Sequence, residues 1–137
     1  YSTMQHDKIR KMKKIQLEHV NITVSDPEKT AAWMYEVFDW PVRWQGPALG
    51  SGRSLHVGSE ASYIALYCSN EATDAAPDSY RCLSGLNHIG VVVDDLDLVE
   101  AQVRKAEFTP YSHADYAPGR RFYFKDHDEI EYEVVQY

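Results

Sequence analysis

The sequence predicts an α+β fold built from two paired βαβββ units. The first observation behind this prediction is an internal repeat. LEHVNITVSD (17–26) aligns without a gap with LNHIGVVVDD (86–95), at an offset of 69 residues. The second observation is that each copy continues in the same order, with one helical segment and then three short β-rich segments. Units of about 60 residues are too small to bury a core alone, so we expect the two copies to pair.

The first unit opens with a strand predicted over 15–24, in which Val20, Ile22 and Val24 alternate with polar residues. Asp26 and Pro27 then supply a helix N-cap and a proline in the first turn. Apolar residues at helical spacing extend this helix to about position 38, before the proline at 41. Three short strands are predicted near 42–45, 53–57 and 62–68.

The second unit repeats this order after a polar linker over 69–84. A strand is predicted over 86–93, and Asp94 and Asp95 precede a helix that reaches about Lys105. Strands near 111–113, 121–125 and 130–136 follow. The expected organisation is one domain over 15–137, with module one at 15–68, the linker at 69–84 and module two at 85–137. Residues 1–14 are expected to be a flexible leader or a tag remnant.

Composition narrows the classes of function. The chain has 137 residues, 44% of them hydrophobic and 26% charged, with a net charge of −7. This balance favours a folded globular domain and disfavours nucleic acid as a partner, because phosphate binding needs a basic surface. No apolar run approaches the roughly 18 residues of a membrane span. We therefore expect no membrane partner and a cytoplasmic location.

Two histidines occupy the same place in the two copies. His19 and His88 each follow the opening leucine of the repeat by two positions, on the strand face opposite the valine and isoleucine row. A single strand histidine is usually structural. Two histidines in register can instead converge on one point if a two-fold axis relates the units. Because neutral imidazole is a common metal ligand, this pair predicts a metal site.

The closing segment DHDEIEYEVVQY offers an acidic partner for these histidines. Glu131 and Glu133 alternate with an apolar row on a strand that otherwise has a buried pattern. One of them is expected to supply a carboxylate oxygen. Two nitrogens and one oxygen leave coordination positions open, as in catalytic metal sites.

Three segments together, LEHVNITVSD, LNHIGVVVDD and PGRRFYFKDHDEIEYEVV, resemble the vicinal oxygen chelate superfamily. This superfamily groups glyoxalase, bleomycin-resistance, fosfomycin-resistance and extradiol dioxygenase proteins. The resemblance covers about residues 15–136. It implies paired modules that form a cupped mixed sheet around a divalent metal, and a homodimer as the expected assembly.

The resemblance places the metal ligands of the family on His19, His88 and Glu133, with Glu131 as the second choice for the carboxylate. Two residues of the closing segment differ from the usual FxDPDG pattern, because His127 replaces proline and Glu129 replaces glycine. With one gap in the alignment, Ala65 falls where glyoxalase-like members carry a fourth ligand. The ligand set therefore resembles the two-His, one-Glu pattern of fosfomycin-resistance enzymes and extradiol dioxygenases.

The resulting expectation is a metal-dependent enzyme that uses Zn, Mn, Ni or Fe(II) and acts on a small substrate with adjacent oxygens. Lyase, isomerase, thiol-transfer and dioxygenase reactions all stay open. His56, Tyr123 and Arg121 are the candidate catalytic residues, with Arg121 as a possible anion-binding group. His113 and Tyr116 are expected in a loop before the strand near 121–125.

The competing interpretation is a metal-free small-molecule binding protein of the bleomycin-resistance type. An acidic protein with 12% aromatic residues suits a flat, cationic ligand. Two histidines in register with a co-facial glutamate favour the enzyme. Ala65, an empty ligand position, favours the binding protein. A purely structural interaction domain is the third and least favoured class.

Overall fold

The described residues form two four-stranded mixed sheets and two α-helices, as the sequence predicts. The computed structural model describes residues 15–48, 50–71 and 74–137, and the expected leader at 1–14 lies outside these ranges. Module one contains β1 (His19–Thr23), α1 (Pro27–Phe38), β2 (Val42–Pro47), β3 (Arg53–Gly58) and β4 (Tyr63–Cys68). Module two contains β5 (Ile89–Val92), α2 (Leu96–Lys105), β6 (Tyr111–Tyr116), β7 (Gly119–Lys125) and β8 (Glu131–Gln136).

The two sheets have the same topology. Their strand orders are β1-β4-β3-β2 and β5-β8-β7-β6. In each sheet the first strand runs parallel to the last, and the other pairs are antiparallel. The opening strand of each module therefore lies at a sheet edge. The internal repeat of the sequence is a repeat of the structure.

Both helices begin at the predicted aspartates. The Asp26 carboxylate accepts a hydrogen bond from the Lys29 amide at 3.1 Å, and Asp95 accepts one from the Leu98 amide at the same distance. Helix α1 ends at Asp39, which adopts a left-handed conformation with φ of 59°. The helix therefore ends before Pro41 and does not depend on that proline for its end.

One hydrophobic core joins the modules, and Trp33 of α1 lies at its centre. The Trp33 side chain is 6% exposed, and its ring centroid lies 5.1–5.6 Å from those of Phe108, Phe124 and Tyr132 in module two. Helix α1 also packs on β3, β4 and α2. The helices therefore lie between the two sheets, and the open face of each sheet points away from the shared core.

Some element boundaries differ from the prediction. Strands β1 and β5 are shorter than expected, since Ile15 and Leu17 are 76% and 82% exposed and precede the sheet. His113 and Tyr116, predicted to lie in a loop, belong to β6. The linker contains a short 3₁₀ helix at Ser79–Arg81. No helix of the described residues is long and apolar enough to cross a membrane.

Candidate metal centre

The register of module two places His88 and two glutamates on one open face. Strands β5 and β8 are parallel, and their register pairs Ile89 with Tyr132 and Gly90 with Glu133. His88 immediately precedes β5 and lies beside Glu131, with Glu133 two residues further along β8. Side chains at alternate strand positions share a face, and the structure brings these three together.

Glu133 has one oxygen engaged and one that faces His88. Its Oε2 accepts hydrogen bonds from the Tyr123 hydroxyl at 2.6 Å and from Arg121 Nη1 at 3.1 Å. Its Oε1 lies 3.9 Å from His88 Nε2. Burial alone would raise the pKa of Glu133, but the Tyr123 and Arg121 hydrogen bonds and the Arg121 charge outweigh it and lower this pKa. Glu133 is therefore held as a carboxylate.

Within the described ranges, both carboxylate oxygens of Glu131 accept hydrogen bonds, whereas only one oxygen of Glu133 does. Glu131 accepts a hydrogen bond from the Tyr80 hydroxyl at 2.5 Å on Oε1 and one from the Tyr111 hydroxyl on Oε2. The Tyr80 oxygen also lies 3.2 Å from His88 Nδ1, and Glu131 Oε1 lies 3.7 Å from the same nitrogen. This arrangement favours Glu133 over Glu131 as the metal ligand.

The tyrosines of this face are held in the protonated form. The hydrogen bond to Glu133, with burial next, raises the pKa of Tyr123 to about 12. The hydrogen bond to Glu131, again with burial next, raises the pKa of Tyr80 to about 12. Each hydroxyl therefore acts as a hydrogen-bond donor to its carboxylate near neutral pH.

Arg121 brings positive charge to the same face. Its guanidinium lies over the Tyr116 ring at 5.3 Å and bonds to Glu133, and its side chain is only 15% exposed. Its Nε is buried and has no hydrogen-bond partner among the described residues. The adjacent Arg120 points elsewhere and pairs with Asp97 at 2.9 Å, as expected for neighbours on a strand.

The open face of module one carries His19 and His56 in a row of rings. His19 stacks on Tyr63 at 4.7 Å between centroids, and Tyr63 stacks on His56 at 4.5 Å. Trp44 continues the row, 4.8 Å from His56. Burial lowers the pKa of His56, and the nearby His19 and Arg43 lower it further, so His56 favours the neutral imidazole.

Strand register also identifies the module-one counterpart of Glu133. Asn21 pairs with Ala65 in module one as Gly90 pairs with Glu133 in module two. The neighbouring strand places His56 opposite Ala65, as it places Tyr123 opposite Glu133. Ala65 thus occupies the position equivalent to Glu133, at an offset of 68 residues where the opening strands have 69, so the alignment needs one gap. Its methyl group offers no donor atom.

The six predicted site residues fall into two separate groups. His88, Glu133, Tyr123 and Arg121 cluster in module two, whereas His19 and His56 lie in module one. In the described part of the chain, His19 makes no hydrogen bond, ion pair or ring contact with His88 or Glu133. Nor do three or more potential ligands among these residues form a metal cage. Within the described residues of one chain, His19 and His88 therefore belong to separate contact clusters.

Sequence reasoning missed Tyr80 and Tyr111. Tyr111 lies opposite Tyr123 on β6, so the alternation of the closing strands could have indicated it once the pairing was known. Tyr80 belongs to the linker, where no periodicity marks a residue for the site.

A comparison with models of protein families identifies the family to which this chain belongs. The model of the Glyoxalase/Bleomycin resistance protein/Dioxygenase superfamily matches residues 16–134. The chain belongs to this superfamily. No curated protein sequence matches the chain significantly.

Solved structures of this superfamily share the fold. A glyoxylase/bleomycin resistance protein/dioxygenase domain from Frankia sp. EAN1pec has a TM-score of 0.76 at 23% identity, covering 90% of this chain and 98% of its own. The fosfomycin resistance protein FosX from Listeria monocytogenes, complexed with Mn(II) and sulfate, has a TM-score of 0.67 at 16% identity, covering 89% and 92%. FosX from Mesorhizobium loti has a TM-score of 0.65 at 21% identity, covering 88% and 90%.

Proposed function

We propose that this protein is a divalent-metal-dependent enzyme that acts on a small substrate with adjacent oxygens. In this proposal His88 and Glu133 of one copy, with His19 of a second copy, hold the metal. The observation that carries it is the pair formed by His88 Nε2 and Glu133 Oε1. These atoms face each other at 3.9 Å, while the other donor atom of each side chain is engaged elsewhere.

The donor pair fits a divalent ion. Ligand distances near 2.1 Å allow two donors of one ion to lie up to about 4.2 Å apart, and the observed separation is within that limit. Imidazole nitrogen with a carboxylate oxygen suits Zn, Mn, Ni or Fe(II). The FosX complexes with Mn(II) support the same choice by relationship.

A second copy of the chain would complete the site. His19 lies on the open face of module one, away from the core that both modules share, so it needs module two of another chain. The outer edges of β1 and β5 have no strand partner in the described sheets, and Val92 at this edge is 65% exposed. A two-fold homodimer in which module one of each copy covers module two of the other would create two equivalent sites.

The chain's own residues have defined tasks in this proposal. A bound divalent ion would supply Lewis acidity to a substrate oxygen. Arg121 and Tyr123 keep Glu133 anionic, and the positive charge of Arg121 can attract an anionic group of the substrate. His56, which favours the neutral form, can accept a proton from a substrate held at the open face of module one.

Metal binding and turnover test the proposal together. We expect equilibrium dialysis to find one Mn(II) per chain, and we expect activity that chelation abolishes and Mn(II) restores. The substrate panel should contain fosfomycin, because FosX proteins share this fold, together with diols and α-keto aldehydes tested with and without thiols. Absence of binding by Mn, Zn, Ni and Fe(II) would contradict the proposal and favour a metal-free binding protein.

A further inference from the structure

We infer that Tyr80 of the linker and Glu131 position His88 through a hydrogen-bond relay. In this relay His88 Nδ1–H donates to the Tyr80 oxygen, and the Tyr80 hydroxyl donates to Glu131. His88 is thereby held with Nε2 unprotonated and facing Glu133. The inference rests on the proposed metal function, and it assigns positioning roles to two residues that do not bind the metal.

The direction of the relay follows from the distances. The Tyr80 hydroxyl has one hydrogen. The 2.5 Å contact shows that Tyr80 donates this hydrogen to Glu131 Oε1. The Tyr80 oxygen lies 3.2 Å from His88 Nδ1, so it can only accept there. Tyr111 donates to the other oxygen of Glu131 and fixes the carboxylate from the opposite side.

This arrangement matters because the two ring nitrogens of histidine are not equivalent. A hydrogen bond at one nitrogen determines which nitrogen carries the proton and which has a free lone pair. Outer partners of this kind orient metal-binding histidines, and their loss typically weakens metal affinity by about 10–100-fold. Tyr80 is 61% exposed, so burial does not explain the contact of its hydroxyl with His88.

The linker is shaped to hold Tyr80 in place. The Asp78 carboxylate accepts a hydrogen bond from the Tyr80 amide at 3.1 Å. Gly85 approaches the backbone of Ser79 so closely that an added Cβ would lie 2.3 Å from the Ser79 carbonyl oxygen. This carbonyl oxygen belongs to the backbone, so it cannot move aside as the end of a flexible side chain can. A side chain at position 85 would therefore displace the turn that carries Tyr80.

Nitrogen NMR of His88 in the metal-free protein tests the relay without requiring activity. At a pH where His88 is neutral, we expect the Nδ1–H tautomer in the wild type and a shift toward Nε2–H in Tyr80→Phe. Tyr35→Phe, which removes the hydroxyl of another exposed tyrosine on α1, is the matched control and should not change the tautomer. Mn(II) should bind about 10-fold more weakly to Tyr80→Phe than to wild type or control.

Gly85→Ala provides a second variant that leaves every member of the relay in the chain. We expect the same tautomer shift and the same loss of Mn(II) affinity. An Nε2–H tautomer in the wild type, or an unchanged tautomer in Tyr80→Phe, would overturn the inference. If Tyr80→Phe shifts the tautomer but the wild type binds no metal, the relay is supported and the proposed metal function fails.

Discussion

Glu133→Gln is expected to weaken Mn(II) binding by at least about 100-fold, which exceeds the usual effect of removing an outer partner. The substitution keeps the shape of the side chain but removes the negative charge that Arg121 and Tyr123 maintain. A neutral amide is a poor substitute for a carboxylate in a site with two histidine ligands. Isothermal titration with Mn(II) measures the change directly.

Glu129→Gln is the matched control for this prediction. Glu129 is exposed, lies in the turn before β8 and carries the same charge. Its removal changes the net charge of the protein equally without touching the site. Equal loss of affinity in both variants would show that general electrostatics, and not ligation by Glu133, governs binding. Wild-type affinity in Glu133→Gln would remove Glu133 from the proposed ligand set.

Trp33→Ala is expected to lower the free energy of unfolding by about 3–5 kcal/mol, the range for truncating a large buried aromatic residue. Trp33 packs against aromatic residues of module two while it belongs to module one, so its loss weakens the core that both modules share. Its buried Nε1 has no hydrogen-bond partner among the described residues, which favours the lower part of the range. Urea unfolding followed by circular dichroism gives the value.

Trp44→Ala provides the comparison, because Trp44 is 49% exposed on β2. We expect it to cost less than half as much as Trp33→Ala and to leave the core intact. Similar losses for the two variants would contradict the central position of Trp33. Two separate unfolding transitions in the wild type would contradict a core shared between the modules.

The fold was predictable from sequence because its signals are local. The repeat fixes the order of elements, Asp26 and Asp95 mark the helix starts, and the alternation around Val20 and Ile22 assigns the buried face. The exposed Ile15 and Leu17 show the limit of this reasoning. Alternating apolar residues predict a strand even where no neighbouring strand is present to pair with it.

The candidate site was predictable only in part. Strand register brings His88 and Glu133 together within one sheet. The repeat indicated His88, whereas the closing segment and the family resemblance indicated Glu133. Whether His19 joins them depends on how the modules pack. That packing is determined by contacts such as those of Trp33, which link residues far apart in sequence. Tyr80 lies in a linker without periodicity, so no sequence pattern could have assigned it.

The most direct test of a site shared between two copies combines two variants, each of which lacks one of the proposed histidine ligands. His19→Ala and His88→Ala each remove one ligand from both sites of a homodimer, so neither should bind Mn(II) tightly alone. When the two variants are unfolded and refolded together, half of the dimers are expected to be mixed, and each mixed dimer contains one intact site. Tight binding should therefore return at about one quarter of the sites. No recovery in correctly folded mixed dimers would contradict a metal site built from two copies.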